Sequence, residues 1–156
     1  MVGKNHHYAV TVQWTGNTGT GTSGYRDYGR QHEISADGKP AIGASSDPVF
    51  RGDRARWNPE ELLVAALSSC HQLAYLHLCA DAGIVVTEYT DDAWGEMVEH
   101  LDGSGEMTRV ILRPRLRITD AARAGDLPAI HSRAHEVCCL ARSVRFEVTH
   151  EADVVI

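Results

Sequence analysis

The sequence predicts an α+β fold in which mostly antiparallel sheet is combined with two helices in a single domain, residues 1–156. Asn58–Gly83 is a long apolar stretch with helix signals at both ends. A second helical pattern covers Asp126–Arg142. The predicted order is three strands, a helix, two strands, a helix and a strand, which differs from the regular strand–helix alternation of parallel α/β folds.

Alternating apolar and polar residues predict three strands before the first helix, at His7–Trp14, Tyr25–Ser35 and Pro40–Ala44. The glycine-rich segment Gly16–Gly24 is expected to be a loop, and Ala36–Lys39 has the composition of a hairpin turn. No GK[ST] signature follows the glycines, so a phosphate-binding loop is not predicted.

The first helix has strong signals at its two ends. Asn58 can cap the N-terminus, Pro59 suits the first helical position, and Glu61 completes a capping box. Gly83 provides the left-handed stop. The interior is almost free of charge up to Asp81, so we expect this helix to be buried on most of its circumference.

After this helix, the sequence predicts a hairpin. Ile84–Gly103 is mostly strand, and Glu106–Thr119 is its partner across a turn at Asp102–Gly105. One side of the second strand is apolar, at Val110, Leu112, Leu116 and Ile118. Pro114 indicates an edge position or a bulge, because proline cannot donate to a sheet ladder.

The second helix is predicted to run from near Asp126 to about Arg142, and Ser143–Ile156 is predicted to be the last strand. The apolar face of the helix would comprise Ile130, Ala134, Val137, Cys138 and Ala141.

The composition excludes several classes of function. Hydrophobic residues make up 43% and charged residues 23%, as in ordinary globular proteins. A net charge of -6 offers no basic surface for nucleic acid or an anionic membrane. The sequence predicts no run that approaches the roughly 20 apolar residues of a membrane span, and the N-terminus lacks an apolar signal segment. We therefore expect a cytoplasmic protein.

The chemistry of the chain centres on its cysteines, Cys70, Cys79, Cys138 and Cys139. None forms a CxxC pair, and His71 and His77 lack zinc-site spacing, so neither a metal nor a bound cofactor is predicted. Cys79 is expected to be a small buried hydrophobe. Cys70 and Cys138 lie on the apolar faces of the two helices and could meet, either as inert packing or as a pair that cycles between dithiol and disulfide.

A reactive thiol needs a nearby cation that favours the thiolate. Arg26 and Arg30 are candidates, and Glu60 is a candidate carboxylate to hold either arginine. Glu60 precedes Cys70 by ten residues, which is about 15 Å along one helix at a rise of 1.5 Å per residue. A partner subunit could bring the two together, so the pattern suggests a dimer.

Four motifs together resemble the OsmC/Ohr family of thiol-dependent peroxidases. They are Asp47–Asp53, Asn58–Leu63, Ser68–His71 and Ala134–Cys138, and their order and spacing both fit the family. The resemblance covers nearly the whole chain. It implies an OsmC-like fold in an intertwined homodimer, with sheets from both chains wrapped around two central helices.

The resemblance also implies the reduction of organic hydroperoxides, and more weakly of hydrogen peroxide, without metal or cofactor. Cys70 would be the peroxidatic cysteine and Cys138 the resolving one. Glu60 would hold the catalytic arginine, for which Arg30 is the first candidate and Arg26 the second. An external thiol, such as a dihydrolipoamide-type dithiol, would reduce the disulfide. An apolar wall of Leu63, Leu67 and Leu73 would favour an organic substituent.

Three positions depart from the family pattern. Cys139 replaces a proline, Ala141 replaces a serine, and His71 replaces an aromatic residue. Cys139 is either an alternative resolving thiol or a competitor for the disulfide. Two other functions remain open on the same scaffold: a non-catalytic protein that binds a small molecule, and a thiol redox sensor.

Overall fold

A computed structural model describes residues 3–151 and 153–155 of the chain. Nine strands and two α-helices follow one another as β1 Thr11–Trp14, β2 His32–Ser35, β3 Ile42–Ala44, α1 Pro59–Asp81, β4 Val86–Asp91, β5 Trp94–Glu99, β6 Gly105–Leu112, β7 Pro114–Ile118, α2 Leu127–Val137, β8 Glu147–His150 and β9 Asp153–Val154. Two compact units divide between Leu62 and Leu63. The sequence-based expectation of one domain remains a prediction.

The first unit is built on an antiparallel sheet of order β1-β2-β3. The hairpin turn expected between β2 and β3 is present, and Gly38 adopts the left-handed conformation there with φ 69°. The strand predicted over Tyr25–Ser35 is wrong in its first part, because only His32–Ser35 is extended. Gly29 instead pairs through its backbone N–H with the Gly16 carbonyl, so this segment folds against the preceding loop.

Helix α1 begins and ends as the sequence indicates. The Asn58 side chain accepts from the Glu61 backbone N–H at 2.7 Å, and Glu61 accepts from the Asn58 N–H at 3.2 Å, which is a complete capping box. Gly83 follows with φ 70°. The buried residues of α1 fall on a single stripe at intervals of four, at Leu67, His71, Tyr75 and Cys79. The expectation of burial around most of the circumference is therefore wrong for the isolated chain.

The length and apolar composition of α1 also meet the criterion for a helix that could span a membrane. By length and composition, α1 is apolar enough to cross a membrane, so the expectation that no such run exists is wrong. It is the one helix in the described part of the chain that meets this criterion. The core helices of soluble proteins often meet it too, so the finding is weak evidence for a membrane span.

The second unit contains two three-stranded sheets, of order β4-β7-β9 and β5-β6-β8. The predicted hairpin is confirmed as the antiparallel pair β5–β6. The single strand predicted over Glu106–Thr119 is divided at Arg113, before Pro114, and its two halves belong to different sheets. The Asp91 carboxylate stabilises the division, since it accepts from the Arg113 backbone N–H at 2.7 Å.

Each of these sheets covers a separate hydrophobic cluster. All four apolar residues predicted on one side of the divided strand are buried, but Val110 and Leu112 pack with Leu67 in one cluster. Leu116 and Ile118 pack with Tyr75 in the other. Helix α1 contributes to both clusters and thereby positions its central residues in the second unit.

Helix α2 is shorter than predicted. It ends at Val137, Cys138 is its extended C-cap, and Ala141–Ser143 form a separate turn. Val137 is 42% exposed and therefore does not belong to the core face. The predicted last strand, Ser143–Ile156, is also divided, into β8 and β9, which pair in parallel with β6 and β7. Its positions 152 and 156 lie outside the described residues.

These elements confirm the predicted class, an α+β fold with two main helices and largely antiparallel sheets.

Candidate functional site

Three thiols meet where the middle of α1 faces the residues that follow α2. The Cys138 Sγ lies 2.9 Å from the Cys70 Sγ, and the Cys139 Sγ lies 3.9 Å from it on the exposed side. All three cysteines are free, since a disulfide bond is only about 2.05 Å long. The structure thus brings together the two predicted site cysteines and adds a third sulfur.

The three thiols differ in their environment. Cys138 is 2% exposed, Cys70 is half-buried and Cys139 is exposed. Burial raises the pKa of the Cys70 thiol, and so does the hydrogen bond from Cys138, while the Leu140 backbone and the Cys139 side chain act in the opposite direction. No cationic group contributes to this pKa in the described part of the chain. Cys70 is therefore less acidic than an ordinary thiol in the isolated chain.

Arg30, the first candidate for the catalytic arginine, is held by its own loop in the first unit. Its guanidinium donates to the carbonyl oxygens of Tyr28, at 2.6 Å, and Tyr25, at 2.7 Å. It also lies over both rings, 4.0 Å from the Tyr28 centroid and 4.5 Å from that of Tyr25. The second candidate, Arg26, is exposed. These contacts explain why the segment forms a turn instead of the predicted strand.

Glu60 lies in the first turn of α1. Its Oε2 atom is buried and has no hydrogen-bond partner among the described residues. Within the same part of the chain, Arg30 and Glu60 do not form an ion pair. A buried carboxylate oxygen without a donor is costly, so this atom is available to accept a hydrogen bond from a group outside the described residues.

A cluster of histidines, which the sequence analysis did not identify, lies in the second unit. The buried His71 and His131 rings are parallel, and His71 Nε2 is 3.1 Å from His131 Nδ1. His150 stacks near both rings, and Tyr75 stacks on His131 at 4.0 Å between centroids. The sequence contained one signal for this cluster, the four-residue spacing of His131 and His135, which places both side chains on one face of α2.

Burial is the main determinant of the charge state of these histidines. It lowers the pKa of His71 to about 4 and that of His131 to about 3, and the neighbouring imidazoles lower both further. Both rings are therefore neutral near pH 7, and one imidazole can donate its N–H to the other. Three or more His, Cys, Asp or Glu side chains do not converge in a way that could hold a metal ion among residues 3–151 and 153–155.

A cleft of about 550 Å³ also lies in the second unit. Its walls are residues 106–108 at the start of β6 and residues 143–146 before β8. None of the three thiols lines it, so it is separate from the cysteine site.

Comparison with known proteins identifies relatives of this chain. The family model described as OsmC-like protein matches residues 52–153. An OsmC-like protein of unknown function from Vibrio cholerae is 32% identical, with a TM-score of 0.86 over 96% of this chain and 100% of that one. No curated protein matches significantly.

Two more distant structures share the fold. An organic hydroperoxide resistance protein from Elizabethkingia anophelis is 21% identical, with a TM-score of 0.66 over 97% of this chain and 98% of that one. The organic hydroperoxide resistance protein OhrB of Bacillus subtilis is 20% identical, with a TM-score of 0.62 over 94% and 96% of the two chains. With its central helix, its divided sheets and the family match over residues 52–153, the chain belongs to the OsmC-like protein family.

Proposed function

We propose that the protein is a cysteine-based peroxidase that reduces organic hydroperoxides in oxidative-stress defence. The supporting observation is the 2.9 Å separation of the Cys70 and Cys138 sulfur atoms, which permits a disulfide with little movement. The family includes proteins named for organic hydroperoxide resistance. Cytoplasmic location is part of the proposal.

The proposed reaction uses two thiols. The Cys70 thiolate attacks the distal oxygen of the hydroperoxide, the O–O bond breaks, and the alcohol leaves with a proton, so that Cys70 becomes a sulfenic acid. The Cys138 thiol then attacks the Cys70 sulfur, which releases water and forms a disulfide. An external dithiol, of the dihydrolipoamide type, reduces that disulfide and is itself oxidised.

This reaction needs a cation near Cys70, because burial raises the pKa of its thiol. We propose that Arg30, held by Glu60, supplies that charge in a homodimer, with Arg26 as the second candidate. Each terminal nitrogen of the Arg30 guanidinium donates one hydrogen bond to a carbonyl oxygen, so other N–H donors of the group remain available. The orphaned Glu60 Oε2 is the carboxylate atom suited to receive one of them.

The homodimer is favoured by the surface of α1. Leu73 is 67% exposed near the middle of the helix, and only four α1 residues are buried in the described chain. A helix of this composition is more stable when a second copy covers its apolar side. Leu73 would then contribute apolar surface for the organic substituent of the substrate. Leu67 does not take part in the wall expected from the sequence, because it is buried against Val110 and Leu112.

Turnover of cumene hydroperoxide and of hydrogen peroxide, with a dithiol as reductant, tests the function. We expect faster consumption of the organic peroxide than of hydrogen peroxide, and abolition of turnover in Cys70→Ser. Cys79→Ala is the control, since Cys79 packs in the core. Equal turnover in Cys70→Ser and wild type would contradict the proposal.

Arg30→Gln and Arg26→Gln separate the two candidate arginines. We expect Arg30→Gln to lower the rate by about 100-fold or more, as removal of one charge-stabilising group typically does. Alkylation of Cys70 as a function of pH should show a higher pKa in the same variant. If only Arg26→Gln has these effects, the assignment passes to Arg26.

A further inference from the structure

Cys139 is a third thiol at the cysteine site, and its environment differs from that of Cys138. We propose that Cys139 takes over the disulfide from Cys138 and presents it to the external reductant, an inference that rests on the proposed peroxidase function. The three sulfur atoms form a cluster centred on Cys70, whose Sγ lies 2.9 Å from that of Cys138 and 3.9 Å from that of Cys139.

Burial makes Cys138 suited to resolve the sulfenic acid but unsuited to meet a reductant. Its side chain is 2% exposed. Its backbone is held on both sides, because its N–H donates to the Ala134 carbonyl at 2.9 Å and its carbonyl accepts from the Arg142 N–H at 3.2 Å. Thiol–disulfide exchange depends on access to the sulfur that is attacked, so a disulfide that includes Cys138 is shielded on that side.

Exposure gives Cys139 the opposite property. Its side chain is open to solvent, and its sulfur is within 3.9 Å of the Cys70 sulfur. An intramolecular thiol at this distance has a high effective concentration, so it can compete with any external thiol for the oxidised Cys70. A disulfide bond is about 2.05 Å long, so the Cys139 and Cys70 sulfur atoms need to approach by less than about 2 Å to form one.

Chain geometry selects which disulfide Cys139 forms. Consecutive Cα atoms are about 3.8 Å apart, whereas the Cα atoms of disulfides usually lie about 4.4–6.8 Å apart. A disulfide between the adjacent Cys138 and Cys139 is therefore strained. Cys139 is expected to attack the Cys70 sulfur and to displace Cys138.

The exchange conserves electrons. The Cys139 thiolate bonds to the Cys70 sulfur, the Cys70–Cys138 bond breaks, and Cys138 leaves with the electron pair and takes a proton. The first thiolate of an external dithiol then attacks the Cys139 sulfur and releases the Cys70 thiolate. The second thiol of the dithiol closes its own disulfide and frees Cys139, so one dithiol is oxidised for each peroxide reduced.

Oxidation by diamide, which needs no peroxidase activity, allows a direct test. The oxidised protein is alkylated and digested, and tandem mass spectrometry of the peptide that contains both adjacent cysteines locates the label. We expect a mixture in the wild type, with Cys70–Cys138 and Cys70–Cys139 both present. Label on Cys139 in every oxidised molecule would overturn the proposal.

Reduction kinetics provide the second readout. With dihydrolipoamide as the probe, we expect the oxidised Cys139→Ser variant to be reduced at least tenfold more slowly than wild type. Oxidised Cys138→Ser should form Cys70–Cys139 and be reduced as fast as wild type. Reduction of Cys139→Ser at the wild-type rate would refute the role of Cys139.

Cys79→Ala is the control for the loss of a thiol, and circular dichroism verifies that each variant folds. Peroxide is absent from both readouts, so failure of the peroxidase proposal appears only in the turnover assay. A protein that consumes peroxide normally but shows no exchange would overturn this inference alone.

Discussion

Lowering the pH from 6.5 to 5 should destabilise the protein through the His71–His131 pair. Both rings are buried and neutral, with pKa values lowered to about 4 and about 3. In the unfolded chain the same side chains have a pKa near 6.5 and take up protons in this range. Because the unfolded state then binds more protons than the folded state, the free energy of unfolding falls as the pH falls.

The size of the effect follows from these pKa values. Each buried histidine contributes a slope that is half-developed at pH 6.5, approaches about 1.36 kcal/mol per pH unit about one unit lower, and declines again as the folded-state pKa is reached. From pH 6.5 to 5 this is about 1.6 kcal/mol for each ring, or about 3 kcal/mol for the pair. A domain is typically stable by about 5–15 kcal/mol, so the loss is large enough to measure.

Urea denaturation at a series of pH values, at one protein concentration, measures this slope. His131→Asn removes one titrating ring but retains a side-chain amide that can bond to His71, so we expect a smaller slope than in wild type. His77→Asn is the matched control for the loss of an imidazole, since the His77 side chain is 75% exposed. A flat profile in wild type, or an equal slope in His131→Asn, would refute the reasoning.

Two further predictions concern α1. Leu73→Glu places a charge on the exposed apolar side of α1, so we expect light scattering to show monomers at concentrations where we expect wild type to be dimeric. The control Leu101→Glu, at an exposed turn position, should remain dimeric. Equal masses for wild type and Leu73→Glu would count against the dimer. Asn58→Ala removes the capping oxygen at 2.7 Å from the Glu61 N–H and should lower the free energy of unfolding by about 1 kcal/mol, measured in urea. Asn58→Asp retains an acceptor, and an equal loss in both variants would rule out the cap as the cause.

Local signals in the sequence were sufficient for most of the secondary structure. The cap at Asn58, the stop at Gly83 and the β5–β6 hairpin depend on neighbouring residues, and all three are present in the structure. The strand predicted from Tyr25 is wrong up to Gln31, because the alternating pattern of β2 does not extend through a segment that contains Asp27 and Gly29. Contacts of Arg30 with two tyrosines and the backbone decided its conformation, and composition does not encode such contacts.

For the candidate site as well, the sequence predicted some features and tertiary contacts decided the others. The sequence by itself determined the family, through motifs at fixed spacing, and it singled out Cys70 and Cys138, because residue type and helical position are properties of the chain. Only the tertiary structure decided that Cys138 caps α2, that Cys139 adds a third sulfur, and that His71 meets His131. The contacts of Cys70 with Cys139 and of His71 with His131 join residues 69 and 60 positions apart, and such pairs are selected by packing between elements, which local patterns do not specify.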